Sequence, residues 1–245
     1  MTQKTKNIWL VGASTGIGRA LAIKLARQGN NVYATARDEN ALKEMAGIDA
    51  QIIPMPGDVT DLPRMREIVG AIGQVDIAIL NAGYYKPDPI ETFTYDEFEK
   101  HVRVNLLGVG ACLDAILPGM RDRGDGHIAI TASVAGYHGL PRSLSYGPTK
   151  AAQINLAEAL AIETKGTDIK VQVINPGFVK TRLTEQNDFP MPFLLETEEA
   201  ADYIMKGLEK DRFEITFPWL FSRMLRRIAA LPYALSIPII SKTKK

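Results

Sequence analysis

Asn7-Ile-Trp-Leu-Val11, then Gly12-Ala-Ser-Thr-Gly16-Ile-Gly18, then Arg19-Ala-Leu-Ala-Ile-Lys-Leu-Ala-Arg-Gln28 is the stretch that decides the architecture. The first five residues are a short apolar run suited to a buried strand, and Gly12 ends it. From Arg19 onward apolar residues recur at helical spacing until Gly29 stops the helix. A strand, a tight glycine turn and a helix N-terminus gather unpaired backbone N–H groups and the positive end of a helix dipole at one spot, which suits a pyrophosphate. Glycines there let the backbone approach a ligand with no Cβ in the way. A turn that merely packs is the alternative for this motif taken alone.

Outward from this unit, strand-like and helix-like segments alternate without a break. Apolar runs over 31–36, 51–55, 75–80, 127–131, 170–175 and 213–217 read as further strands, and 39–46, 63–72, 95–121 and 145–164 as helices. Interleaving of this kind predicts an α/β fold: a single Rossmann-type, doubly wound parallel sheet of about seven strands with helices on both faces. Reversal of strand order after the third strand would open a crevice at the strands' carboxyl ends. No linker-like stretch interrupts the pattern, so residues 1–245 are expected to form one dinucleotide-binding and catalytic domain. Residues 183–209 are expected to supply a substrate lid and a helix, and 218–245 an amphipathic extension.

Composition narrows the function classes. Hydrophobic residues make up 46% and charged residues 23% of the 245, the balance of an ordinary soluble globule. A formal net charge of +1 argues against bulk attraction to nucleic acid. Cys112 is the only cysteine, so no intrachain disulfide can form, a reducing compartment fits, and a cysteine-built metal site is excluded. The first apolar run leads straight into the glycine turn and does not read as a secretory signal. A cytoplasmic protein with no metal site is the expectation.

The candidate chemistry lies further along. Tyr146 and Lys150 fall one helical turn apart on one face, with Ser133 upstream. A free tyrosine has a pKa of about 10, too high for a base near neutrality. An adjacent ammonium favours the phenolate, each unit of lowering corresponding to about 1.4 kcal/mol. Singly, each residue also reads as an ordinary surface or turn group.

Taken together, Gly12-x-x-x-Gly16-x-Gly18, Asp58-Val59, Asn81-Ala82-Gly83, Asn105, Ser133, Tyr146-x-x-x-Lys150 and Pro176-Gly177 occur in the order and approximate spacing of the short-chain dehydrogenase/reductase family. The chain resembles that family over roughly residues 7 to 210. The resemblance implies hydride exchange between a nicotinamide and a carbonyl or secondary alcohol, with Tyr146 as the proton-transfer group. It implies that Lys150 also bonds the nicotinamide ribose and that Ser133 steadies the substrate oxygen. In the family, Asn105 helps hold a water that links the lysine to solvent. Gly12, Ser14, Thr15, Gly16, Ile17 and Gly18 would hold the phosphates, and Asp58 and Val59 the adenine. Asn81, Ala82 and Gly83 would pass close to the cofactor. Pro176, Gly177, Val179 and Thr181 would lie against the nicotinamide. The family also implies a homodimer or homotetramer.

Cofactor choice has its own signal. A Rossmann protein selective for NAD ends its second strand with an acid on the ribose hydroxyls. Here Ala36 holds that place and Arg37 follows, which favours NADP(H) over NAD(H) through pairing with a 2′-phosphate. Asp38 is adjacent, and the preference weakens if its side chain turns inward.

Residues 183–195 include Phe189, Pro190, Met191, Pro192, Phe193 and Leu194, which suits either a lid over an apolar, lipid-like substrate or simple packing on the surface. Tyr84, Tyr85 and His138 are further candidates for lining a pocket. Beyond residue 217, Leu220, Met224, Ile228 and Leu231 fall on one helical face, flanked by Phe221 and Leu225, with Arg223, Arg226 and Arg227 on the other side. Such a helix packs on the protein or makes peripheral contact with an anionic membrane. A transmembrane span over 228–240 is too short and is broken by Pro232 and Pro238. The leading function is an NADP(H)-dependent oxidoreductase. A non-catalytic dinucleotide-binding regulatory or scaffold protein is the alternative, and the chain length and glycine spacing disfavour a nucleotide-sugar epimerase.

Overall fold

The protein is described by a computed structural model over residues 5–244. Strand β1 (Asn7–Val11) sends Ile8 and Leu10 into one core layer and Trp9 and Val11 into the other. An unbroken apolar run is what a strand covered on both faces needs. The buried Trp9 indole donates to Thr35 Oγ1 at 2.9 Å, so its one polar atom is satisfied.

After β1 come α1 (Gly16–Arg27), β2 (Asn31–Thr35), α2 (Glu39–Ile48), β3 (Ile52–Pro54), α3 (Leu62–Ile72) and β4 (Ile77–Leu80). The second half holds α4 (Tyr95–Val102), α5 (Gly108–Arg123), β5 (Asp125–Thr131), α6 (Tyr146–Glu163), β6 (Asp168–Pro176), α7 (Thr197–Leu208), β7 (Glu214–Phe217), α8 (Trp219–Ala229) and α9 (Tyr233–Ser241). The seven strands are parallel in the order β3-β2-β1-β4-β5-β6-β7. Val11 is in register with Thr35 on one side and Leu80 on the other. The chain therefore changes direction across the sheet at β1, and the loops leaving β1 and β4 part to open a crevice there. Residues of α1, α2 and α7 fill the core on one face, and residues of α3, α5 and α6 fill it on the other.

Three expectations need revision. The third strand is only three residues long and includes Pro54, which an edge strand tolerates because it lacks a neighbour on one side. The helix expected over 95–121 is interrupted: a π-helical turn, Arg103–Leu107, joins α4 to α5. The C-terminal segment folds as two helices, and the face of α8 that packs is rotated from the apolar stripe read from the sequence, of which Ile228 alone joins the core contact. Phe221, Ser222 and Leu225 are buried, whereas Leu220, Met224 and Leu231 are exposed. Phe178 and Val134 lie where Phe221 and Leu225 pack, and that tertiary contact sets the helix's rotation.

Candidate active site

Helix α6 begins at Tyr146 and carries Lys150 one turn on. Both line a cavity of about 560 Å³ at the carboxyl ends of β1, β4, β5 and β6, as do Ser133 and Thr131. Burial pushes the Tyr146 pKa up, and the neighbouring Ser133 hydroxyl pulls the other way. Lys150 is buried, and desolvation lowers its pKa to about 7. Its Nζ lies 5.4 Å from the centre of the Tyr146 ring. The lysine alone therefore does not make the phenol acidic, contrary to the expectation from spacing, because the same burial raises one group and lowers the other.

Lys150 Nζ donates to the Thr131 carbonyl at 2.9 Å and to Gln153 Oε1 at 2.8 Å. Gln153, itself fully buried, donates through Nε2 to the Asn105 carbonyl at 2.6 Å. The π-helical turn shifts the backbone hydrogen-bond register at Asn105, and its carbonyl accepts this bond. The Asn105 side chain is occupied elsewhere: it accepts from Tyr84 N at 2.7 Å and donates to Tyr84 O at 2.9 Å and Thr149 Oγ1 at 3.0 Å. Asn105 thus stands behind the cavity wall, and Gln153 is the group connecting it to the lysine. Ser133, just past β5, accepts from Ala135 N at 3.1 Å and donates to the Pro176 carbonyl at 3.4 Å.

The glycine turn has the shape of a cradle. Gly12 has φ 82°, and a Cβ there would come 2.6 Å from Ala82 Cα. Gly16 has φ 55° and faces the Thr181 methyl at 3.0 Å from an added Cβ. Any side chain at either position would fill the space or strain the backbone. Asn81 Nδ2 donates to the Gly12 carbonyl at 3.1 Å and fixes the turn to β4. Thr15 precedes α1 without a side-chain cap, and the first helical turn has no acid, so its backbone N–H groups are available to an anion. Thr131 Oγ1 is buried without a hydrogen-bond partner among the described residues. These features fit a dinucleotide: an anion cradle at one end and a polar floor near the reactive groups.

Of the predicted cofactor residues, Gly12, Thr15, Gly16, Ile17, Asn81 and Gly83 line the cavity. So do Pro176, Gly177, Val179 and Thr181 beyond β6. Ser14, Gly18 and Ala82 do not. Gly18 is required for packing instead, since a Cβ would sit 2.0 Å from the Gly12 carbonyl oxygen.

Arg37, Asp58 and Val59 also lie outside the lining, at the far end. Arg37 is largely exposed, with Nη1 4.0 Å from Asp58 Oδ2. Asp38 points away: it caps α2, accepting from Ala41 N at 3.0 Å. Asp58 accepts from the backbone and hydroxyl of Thr60 at 2.9 and 2.8 Å, while the N-cap of α3 is Asp61. Val59 packs closely on Gly108.

Several site residues had no assigned role in the sequence reading. The Tyr85 ring meets Tyr146 edge-on at 4.8 Å, and its hydroxyl donates to Asn187 Oδ1 at 2.7 Å. Burial pushes the Tyr85 pKa up to about 12. Gln186 Nε2 donates to the Tyr85 carbonyl at 3.1 Å, and Arg142 is ion-paired with Asp188, so the segment over 183–195 is fastened across the cavity. Phe189 from that segment, Phe178, and Phe221, Leu225, Ile228 and Ile240 from the C-terminal helices make the opposite wall apolar. His138 is hydrogen-bonded through Nε2 to Ser236 Oγ at 3.0 Å, holding α9 in place. Such a site can hold a carbonyl oxygen beside Ser133 and Tyr146 and an apolar body against the far wall.

The family model for short chain dehydrogenase matches residues 6–190. An uncharacterized oxidoreductase of Myxococcus xanthus is 35% identical over 233 residues, which cover 91% of this chain and 91% of its own. A solved short chain dehydrogenase from Burkholderia cenocepacia, in complex with NADP, has a TM-score of 0.86 over 97% of this chain and 98% of its own; at 22% identity it speaks to the fold alone. ElxO, solved with NADP bound, is 26% identical with a TM-score of 0.77, covering 89% of this chain and 100% of its own. With Ser133, Tyr146, Lys150 and part of the glycine turn at one crevice and the match spanning most of its length, the chain belongs to the short-chain dehydrogenase/reductase family of oxidoreductases.

Proposed function

We propose that the protein is an NADP(H)-dependent, cytoplasmic and homo-oligomeric reductase of carbonyl compounds, or dehydrogenase of the matching secondary alcohols, with an apolar, lipid-like substrate. The observation that carries this reading is the two-sided cavity: Tyr146, Ser133 and Lys150 on one wall, aromatic and aliphatic side chains on the other. Gly12, Gly16 and the open first turn of α1 would hold the phosphates, and Asn81, Gly83 and the segment from Pro176 to Thr181 the nicotinamide end. Bound there, the dinucleotide supplies or accepts the hydride.

The chain's own groups handle the proton. Burial keeps Tyr146 protonated at rest, which suits it to act as the acid that protonates a carbonyl oxygen during reduction. Ser133 hydrogen-bonds the same oxygen as charge builds on it. Lys150, with a pKa near neutrality, can give or take a proton behind the phenol. Substitution of Tyr146 by Phe is expected to lower turnover by about a hundredfold or more, followed at the nicotinamide absorbance over a panel of ketones, aldehydes and alcohols, while NADPH binding persists. Full turnover in the variant would remove Tyr146 from the mechanism. No turnover of any compound by the wild type would favour the non-catalytic binding protein.

The cofactor preference is supported by the far end of the crevice. Ala36 follows the second strand without a carboxylate, Asp38 is engaged in capping α2, and Arg37, largely exposed and held only by a 4.0 Å ion pair with Asp58, can turn to meet a 2′-phosphate. In Arg37→Glu the ratio of kcat/KM for NADPH over NADH is expected to fall by about tenfold or more. An unchanged ratio in steady-state kinetics refutes the assignment.

A further inference from the structure

From Ile215 to Lys245 the chain carries six of its twenty-nine lysines and arginines and none of its twenty-eight carboxylates. Its described residues form most of β7 and the helices α8 and α9. Helix α9 has no charged residue, yet it buries only Ser236 and Ile240; Tyr233 is 76% and Ile237 56% exposed. On α8, Trp219 and Leu220 are 61% and 57% exposed. Apolar surface of this extent next to a cluster of one charge sign is uncommon on a protein that meets only water.

The cations sort by position. Arg226 is half-exposed but already engaged, ion-paired with Glu214 and stacked on Tyr137. Arg223 lies over the Trp219 indole at 4.6 Å, and neither Arg223 nor Arg227 has an acidic partner among the described residues. A tryptophan and an arginine stacked beside exposed aliphatic side chains are the groups that settle at the boundary between lipid headgroups and acyl chains. At nine residues α9 is too short to cross a bilayer, so contact would be along the surface.

We propose that the outer face of α8 and α9 is a docking surface for an anionic lipid membrane. Charge decides against a second copy of this chain as the occupant, because a two-fold contact through this face would bring together two copies of a surface whose own residues, from 215 onward, include cations and no carboxylate to pair with them. The face also adjoins the cavity mouth. Met224 and Ile239 are exposed at the surface and line the cavity as well. An apolar substrate can therefore leave the bilayer and reach the cavity along apolar side chains. That delivery step rests on the reading of the cavity as a substrate site; the docking itself does not.

The test is sedimentation of the full-length protein, without cofactor or substrate, with vesicles of phosphatidylcholine alone or mixed with phosphatidylglycerol. Binding is expected with the mixed vesicles and to weaken with added salt. It should fall about tenfold or more in Arg223→Glu/Arg227→Glu, and also in Tyr233→Ser/Ile237→Ser. Circular dichroism melting of each variant shows that it folds, and soluble-substrate turnover, if present, should persist in both. Absence of binding to mixed vesicles overturns the proposal, as does equal binding of the charge-reversed variant. A native mass that drops in these same variants, read by light scattering, would assign the face to self-association and likewise overturn it. Failure of turnover with intact vesicle binding would count against the enzymatic reading alone.

Discussion

Lys150 is an ammonium that burial has brought to the edge of neutrality, and what holds its proton is a pair of acceptors, the Thr131 carbonyl and Gln153 Oε1. An acceptor favours the charged form, so removing one lowers the pKa further. In Gln153→Leu the lysine ionisation in the pH profile of kcat/KM should move to lower pH, and in Gln153→Glu to higher pH, by about one unit each. Loss of rate with the profile unmoved would mean that Gln153 only packs. The sequence made Ser133, Tyr146 and Lys150 legible because their spacing is local to one strand end and one helix. Gln153 lies three residues beyond Lys150, on the same helical face, which is a visible signal. Its partner is the Asn105 carbonyl on another element, and no local pattern reports that pairing. Asp38 is similar: only the cap it makes on α2 shows which way it turns.

At the level of elements, the strands were legible from apolar runs, and their ends differ by a residue or a few where hydrogen bonding, not hydropathy, sets the limit. The break between α4 and α5 was not, because a π-helical turn keeps the side-chain pattern of a helix while its backbone bonds shift. A pH response belongs to the pairing of β5 with β6. His127 on β5 is hydrogen-bonded to Gln172 on β6 at 2.8 Å, and burial, with Lys170 nearby, lowers its pKa to about 4. An unfolded histidine titrates near 6.5, so between these values the unfolded chain binds more protons than the folded one. The contribution is present above about pH 6.5 and is lost as pH falls towards 4, amounting to about 3 kcal/mol. Denaturant unfolding should show that loss in the wild type and a smaller one in His127→Gln, which keeps a polar partner for Gln172. Equal acid sensitivity in both would place the effect elsewhere.

For the molecule as a whole, alternation of strands and helices was enough to read a doubly wound parallel sheet, because parallel neighbours require crossovers that return over one face or the other. It did not reveal which apolar surface stays outside. Leu107, in the π-helical turn, is 61% exposed, and Ile162, on α6, is 72% exposed. As contacts of a homo-oligomer they predict a native mass that is a multiple of one chain's, falling towards one chain's in Leu107→Glu/Ile162→Glu by light scattering; a single-chain mass in the wild type would rule this out. Tyr146, Lys150, Ser133 and the glycine cradle, the site proposed for catalysis, sit at the strands' carboxyl rim, and the turns at the other rim are left to simple connection. Between α6 and β6, Gly166 has φ 90° and must stay glycine, whereas Lys165 beside it is exposed. That turn is consequently a natural splice point for a fluorophore or an immobilising handle, through which the enzyme could be held to a sensor chip with its working end facing the analyte.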